Sequence, residues 1–271
     1  MTYATRTAQQ YEVGGALLGD VDPATRVSYF TEFAKIPMRS ASKYAQSSKS
    51  PIRQYDNDWV ISGRPVKGPY SSNGAMWDVS SGDGWLRLGI SSKSTKSGNL
   101  FLRLASNQGT TTKTRISKWA STRFVTDDEP ELDVLIKTSS VANHITKMFY
   151  QIGFVLTHTY DVTVDQNCAK FWFNPTTSTT NLYAVTAIGA APTLTDTGVD
   201  LAVSTIYRLQ IRIGSDRTAK FYVNGALVHT SLALTTAISL RPHIGIKTFT
   251  GGTTGRGYMY VGYVRMSKIR S

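Results

Sequence analysis

The chain has 271 residues and one cysteine, Cys168, so it can bury a sizeable core and cannot form an internal disulfide. Thirty Lys and Arg stand against 18 Asp and Glu, a net charge of +12 that favours acidic partners: nucleic acid, an anionic polysaccharide or an acidic protein lattice. No uninterrupted run of about 18 apolar residues occurs, which excludes a membrane-spanning helix, and MTYATRTAQQYEVGGALLGD lacks the basic start and apolar run of a secretion signal, so a soluble protein made without export is expected.

In chain order, residues 1–24 form an Ala/Thr/Gly-rich arm without periodicity, expected to serve as an assembly contact, and residues 25–271 form one domain. Helical turns are predicted only at Val27–Ala34 and Ser40–Ala45. The remainder alternates short Val-, Ile-, Thr-, Tyr- and Phe-rich runs with Gly, Asn, Asp and Ser clusters, the pattern of strands and turns. Trp85–Ile90, Leu100–Leu104, Leu132–Lys137, Phe149–Leu156, Lys170–Phe173 and Tyr183–Ile188 read as strands. Tyr207–Ile213 and Ala219–Val223 are joined by GSDR, in which Gly214 and Asp216 suit non-helical backbone. Asn224-Gly225 then predicts a two-residue type I′ hairpin. Ile244–Phe249 and Tyr258–Met266 are the last strands. Along YRLQIRI, Leu209, Ile211 and Ile213 fall on the core face and Arg208, Gln210 and Arg212 outside. About ten to fourteen such strands imply an all-β sandwich or barrel.

Charge is unevenly placed. Residues 84–126 contain no carboxylate but carry Arg87, Lys93, Lys96, Arg103, Lys113, Arg115, Lys118 and Arg123. Of these, Arg87, Arg103, Lys113, Arg115, Lys118 and Arg123 are the candidate partner-binding residues. From Leu201 to Ser271 ten bases face one acid, Asp216, whereas Ser139–Asp200 reverses the sign.

Glu131 and Asp133 within ELDVLI project from one strand face, and paired carboxylates are what glycoside hydrolysis uses. They follow Asp127, Asp128 and Glu129, so the simpler reading is a solvated acidic cluster leading into a strand. His144, His158, His229 and His243 show no zinc spacing, and no G-x-S-x-G elbow occurs. Asp161, Asp165 and Asn167 are too few oxygens for a calcium site. The run at Gly251, Gly252, Gly255 and Gly257 precedes a strand, where a phosphate cradle would precede a helix. Cys168 reads as an inert thiol at a strand end. Trp59, Trp77, Trp85, Trp119 and Trp172 are core or interface residues before they are sugar-stacking ones. No catalytic residue, metal ligand or cofactor is assigned.

The segment YRLQIRIGSDRTAKFYVNGALVHTS, followed by LRPHIGIKTF and a last strand, resembles the closing half of concanavalin A-like sandwiches, the laminin G, lectin and laminarinase group. YFTEF, WVISG and DGWLRL fit its opening half, and the likeness spans roughly residues 25–270. It implies a jelly-roll β-sandwich of two antiparallel sheets. ELDVLI is similar to the laminarinase signature, whose first Glu attacks, whose Asp tunes it and whose last Glu protonates. Glu131 and Asp133 match the first two places, but Leu135 or Ile136 occupies the third, so the resemblance carries no activity. The segment order is also similar to structural proteins of tailed bacteriophages. The expectation is therefore a non-enzymatic virion protein, a capsid decoration, cement or minor head protein. It would bind the major capsid protein or other virion proteins through basic faces and associate with itself. The alternative is a tail-fibre module that recognises host carbohydrate. Nucleic acid is disfavoured for want of a reader motif.

Overall fold

In the computed structural model of the chain, the residues described are 26–32, 52–54, 59–64, 75–79, 85–90, 99–104, 124–140, 145, 148–156, 166–175, 177–178, 180–248 and 257–269. Of 26–32, 52–54, 59–64, 75–79, 87, 89–90, 99–104, 247–248 and 257 only the backbone is described. In chain order the strands are β1 (Arg26–Glu32), β2 (Ile52–Gln54), β3 (Trp59–Arg64), β4 (Ala75–Val79), β5 (Leu86–Ile90), β6 (Asn99–Leu104), β7 (Phe124–Val125), β8 (Glu131–Thr138) and β9 (Met148–Val155). There follow β10 (Cys168–Phe173), β11 (Asn181–Ile188), β12 (Ala191–Asp200), β13 (Ile206–Ile213), β14 (Thr218–Val223), β15 (Ala226–Ala233), β16 (Ser239–Thr248) and β17 (Gly257–Ile269). A 3-10 turn at Thr126–Asp128 leads into β8.

Sheet one runs β15-β14-β13-β8-β17-β5-β4, with β1 also paired to β17; sheet two runs β12-β11-β10-β9-β16-β6-β3-β2, with β7 on β16. All these pairings are antiparallel. Alternation builds the layer between the sheets. Sheet one contributes Leu132, Val134 and Ile136, Leu209, Ile211 and Ile213, and Phe221 and Val223. They meet Tyr150, Ile152 and Phe154 of β9 and Phe171 and Phe173 of β10. Phe171 packs edge-on to Phe221 at 5.3 Å between ring centres, a contact worth about 1 kcal/mol beyond the area it buries.

Two local features set the register. In β17 the pairing with β8 shifts between Val261 and Tyr263, so Val261 and Val264 both reach the core although they are three residues apart. Gly262 occupies that shift because a Cβ would come within 2.9 Å of the Trp85 ring. The Asn224-Gly225 hairpin forms as its sequence predicts, with φ of 50° and 87°. Asn224 Oδ1 also accepts from the Arg208 backbone N–H at 2.9 Å.

Three expectations need correction. Residues 26–32 of the predicted helical segment Val27–Ala34 lie in strand β1, because the alternating β-branched and aromatic residues of RVSYFTE find a ladder along β17. Strands number seventeen among the described residues, above the range read from sequence; APTLTDTGVD has too few apolar residues to announce β12, a mostly exposed edge. The GSDR turn forms as expected, with Arg217 at φ of 62° and Asp216 Oδ1 accepting from the Thr218 N–H. Gln210 lies on the outer face as predicted yet is buried. Residues 1–24 and Ser40–Ala45 lie outside the described residues.

Candidate functional site

Each sheet has an outer face, and the two differ in kind. On sheet one, Glu131, Asp133 and Leu135 of β8 stand on the face opposite to the core, as alternation requires. β13 places Arg208 and Gln210 beside them, and β17 places Tyr263, Arg265 and Ser267 on the other side. Asp133 is buried, at 6 % exposure. Its Oδ1 accepts from Arg208 Nε at 3.1 Å and Tyr263 Oη at 3.2 Å. Its Oδ2 accepts from Arg208 Nη2 at 2.7 Å and Gln210 Nε2 at 3.1 Å. The fork geometry of Arg208 suits a carboxylate, and the pairing holds its guanidinium above the usual pKa. Burial and the Asp133 charge push the Tyr263 phenol up to about 12, while burial lowers Arg265.

The acidic cluster is therefore not simply solvated. Asp128 is paired with Lys268 at 2.8 Å, both largely buried, and Ser267 Oγ donates to Glu131 at 3.2 Å. The Ala237 N–H donates to Asp127, and this backbone bond keeps that exposed carboxyl below its ordinary value. Leu135, one of the two candidates for the acid/base place, lies with Trp85 over Gly262. Ile136, the other, is in the core. Asp133 spends both oxygens on neighbouring side chains, and neither Leu135 nor Ile136 can carry a proton.

The centre of sheet two, β9 and β10, is buried on both faces. Its outer face carries a second apolar cluster of Phe149, Val155, Cys168, Trp172, Val185 and Ala187, with Tyr183 packed against it. Antiparallel register sets polar groups among these in two rows. One row runs Lys170, Gly153 and His243 across β10, β9 and β16. The adjacent row runs Tyr183, Trp172, Gln151 and Gly245. Lys170, Gln151 and His243 are completely buried. Gly153 is required where it stands, since a Cβ would come within 2.4 Å of the Ala169 carbonyl and of Lys170 Cα. Among the described residues, neither Nε2 nor Oε1 of Gln151 has a hydrogen-bond partner, nor has Trp172 Nε1. A buried amide left open at both ends costs about 1–3 kcal/mol per group, so this is the place among the described residues where a polar partner would be repaid.

Among the basic residues singled out from sequence, Arg87 lies on β5 of sheet one, opposite Asp78 and Tyr260, and Arg103 lies on β6 of sheet two, opposite His243. They belong to different sheets. Lys113, Arg115, Lys118 and Arg123 lie outside the described residues, as do Trp119, Asp161, Asp165, His144 and His158. Trp59 and Trp77 fall on β3 and β4. Asn167 Oδ1 accepts from the Gly189 N–H. No group of metal-ligating side chains occurs among the described residues. The grouping of Gln151, Lys170 and His243 escaped the sequence reading because they are 19 and 73 residues apart along the chain and only the register assembles them. The one signal was a glutamine within the apolar run MFYQIGFV.

Two antiparallel sheets stacked in this strand order define a concanavalin A-like jelly-roll β-sandwich. The chain belongs to the SO2946-like family, whose C-terminal domain matches residues 101–261. A protein of unknown function, SO2946 from Shewanella oneidensis MR-1, shares the fold with a TM-score of 0.53 at 13 % identity over 91 % of this chain and 87 % of that one. A Bacillus licheniformis β-glucanase gives 0.51 at 14 % identity over 80 % and 95 %. An endo-β-galactosidase from Clostridium perfringens that releases GlcNAcα1-4Gal gives 0.54 at 11 % identity over 91 % and 63 %. None of the curated proteins matches in sequence. At such identities the likeness concerns the fold alone.

Proposed function

We propose that the protein is a non-enzymatic binding module that takes a carbohydrate on the outer face of sheet two. The observation that carries this reading is the open amide of Gln151 beside the open indole N–H of Trp172, set among Phe149, Tyr183 and Trp172 rings. Sugars present hydroxyls to donors and acceptors and C–H faces to aromatic rings, which is the combination placed here. Gln151 and Trp172 are buried, so uptake of a ligand there is expected to be slow. The absence of catalysis is supported by the saturated Asp133 carboxylate and by Leu135 and Ile136, which cannot carry a proton.

A glycan array followed by calorimetry tests the reading. Trp172→Phe keeps a smaller aromatic ring and removes the N–H, and is expected to weaken binding about tenfold or more. Gln151→Leu removes a side chain that bonds nothing, so it should leave stability equal or raised while binding disappears. Unchanged affinity in both variants, or no glycan bound by the folded wild type, would sink the carbohydrate reading.

A second reading rests on charge. A net charge of +12, with residues 84–126 free of carboxylate, suits a phage virion protein docked on an acidic neighbour, as a capsid decoration or minor head component. Its test is co-sedimentation with empty capsids. Binding that weakens steeply with salt would support it, and no binding at low salt would end it.

A further inference from the structure

We propose that the Gln151 amide reads two hydroxyls on adjacent carbons of one hexose ring, and so selects hexoses in which such a pair is free. This rests on the carbohydrate reading above and names what that site recognises. Gln151 is completely buried, and among the described residues both its Nε2 and its Oε1 are open. Trp172, directly opposite on β10, is 5 % exposed and its Nε1 is open as well. The row therefore offers an amide donor, an amide acceptor and an indole donor.

The chemistry of a primary amide decides what can close both of its ends at once. Its oxygen accepts, its nitrogen donates, and the two atoms stand side by side on one carbon. A partner must present a donor and an acceptor in the same close spacing. Two hydroxyls on neighbouring ring carbons do so, because a hydroxyl can either donate or accept. One donates to Oε1 while the other accepts from Nε2, and the Trp172 N–H is left to donate to a further oxygen of the ring. An isolated hydroxyl meets one end and leaves the other buried and open, which is the expensive arrangement. An acetamido group cannot stand in for the pair, since its trans amide points N–H and C=O to opposite sides. A carboxylate only accepts, and would leave Oε1 without a donor. The surroundings suit a pyranose. The Trp172 and Tyr183 rings lie 6.0 Å apart and tilted by 58°, and Phe149 lies on the same face of β9, so aromatic surface borders the amide for the sugar's C–H groups. Towards β16, Gly245 stands opposite Gln151 and adds no side chain.

Ligand-observed NMR titration of the full chain tests this with the methyl glycosides of glucose, mannose and galactose, each beside its 3-deoxy and 6-deoxy forms. Either deoxy sugar lacks one hydroxyl. The 6-deoxy form keeps adjacent pairs, whereas the 3-deoxy form keeps only the hydroxyls on carbons 2, 4 and 6, none of them neighbours. At least one parent glycoside is expected to bind, with its 6-deoxy form within about threefold of it and its 3-deoxy form weaker than the 6-deoxy form by at least about tenfold. This comparison needs no variant. In Trp172→Phe, which leaves Gln151 in place, all three sugars should weaken together and the preference for the 6-deoxy form should persist. Equal binding of the two deoxy forms, or a preference that vanishes in Trp172→Phe, would overturn the proposal and leave the carbohydrate reading standing. The same follows if a glycan array returns only acetamido sugars and none of the three parent glycosides binds. A folded wild type that binds no glycan at all would remove both.

Discussion

Asp133 shows how one side chain changes meaning once its neighbours are known. In the sequence it follows four acids and looks like part of a charged, wet segment. In the fold it is the hub for Arg208, Gln210 and Tyr263, and its charge is neutralised by a guanidinium that is itself about a quarter exposed. Removing one partner of a buried pair leaves the other uncompensated. With the partial exposure of Arg208 discounted, Asp133→Asn is expected to cost about 2 kcal/mol, read as a lower urea midpoint at unchanged slope. His229 gives a pH signature. Burial holds its pKa below the ordinary 6.5, so the folded protein takes up fewer protons than the unfolded chain as pH falls through that value. Stability is then complete above about pH 6.5 and declines towards acid. Denaturant titrations should show this decline, and His229→Gln should flatten it.

At the level of elements, the strands whose two faces differ sharply were legible, and those whose faces do not differ were not. β13 and β14 alternate cleanly because one face meets the core and the other meets water or ion pairs. β9 and β10 are buried at every position, so alternation could locate them but could not say that their second face was also covered. β12 is polar along most of its length and was missed for that reason. The turns were partly legible. Asn-Gly identified its hairpin without help, whereas nothing in GSDR marks the arginine as its left-handed residue. Asn224→Ala keeps a non-glycine residue at positive φ while removing the acceptor for the Arg208 N–H, and should cost about 1–2 kcal/mol in equilibrium unfolding. Gly153→Ala is expected to be worse, because the added carbon meets backbone atoms that cannot rotate away. A loss above about 3 kcal/mol, or failure to fold, is the expected outcome.

For the whole molecule, composition and pattern were enough to set the class, two stacked antiparallel sheets, because short alternating strands of this number have few other ways to bury themselves. They were not enough to set the site. The groups on the outer face of sheet two come from β9, β10, β11 and β16, and no local spacing links them. The fourteenth to sixteenth strands precede β17, yet β17 lies inside sheet one, between β8 on one side and β5 and β1 on the other. During synthesis, then, strands β1, β5 and β8 leave the ribosome long before the strand that joins them exists. Until residue 269 has emerged, sheet one is three separate pieces with bare inner edges, and the nascent chain must be kept from pairing wrongly over almost its whole translation.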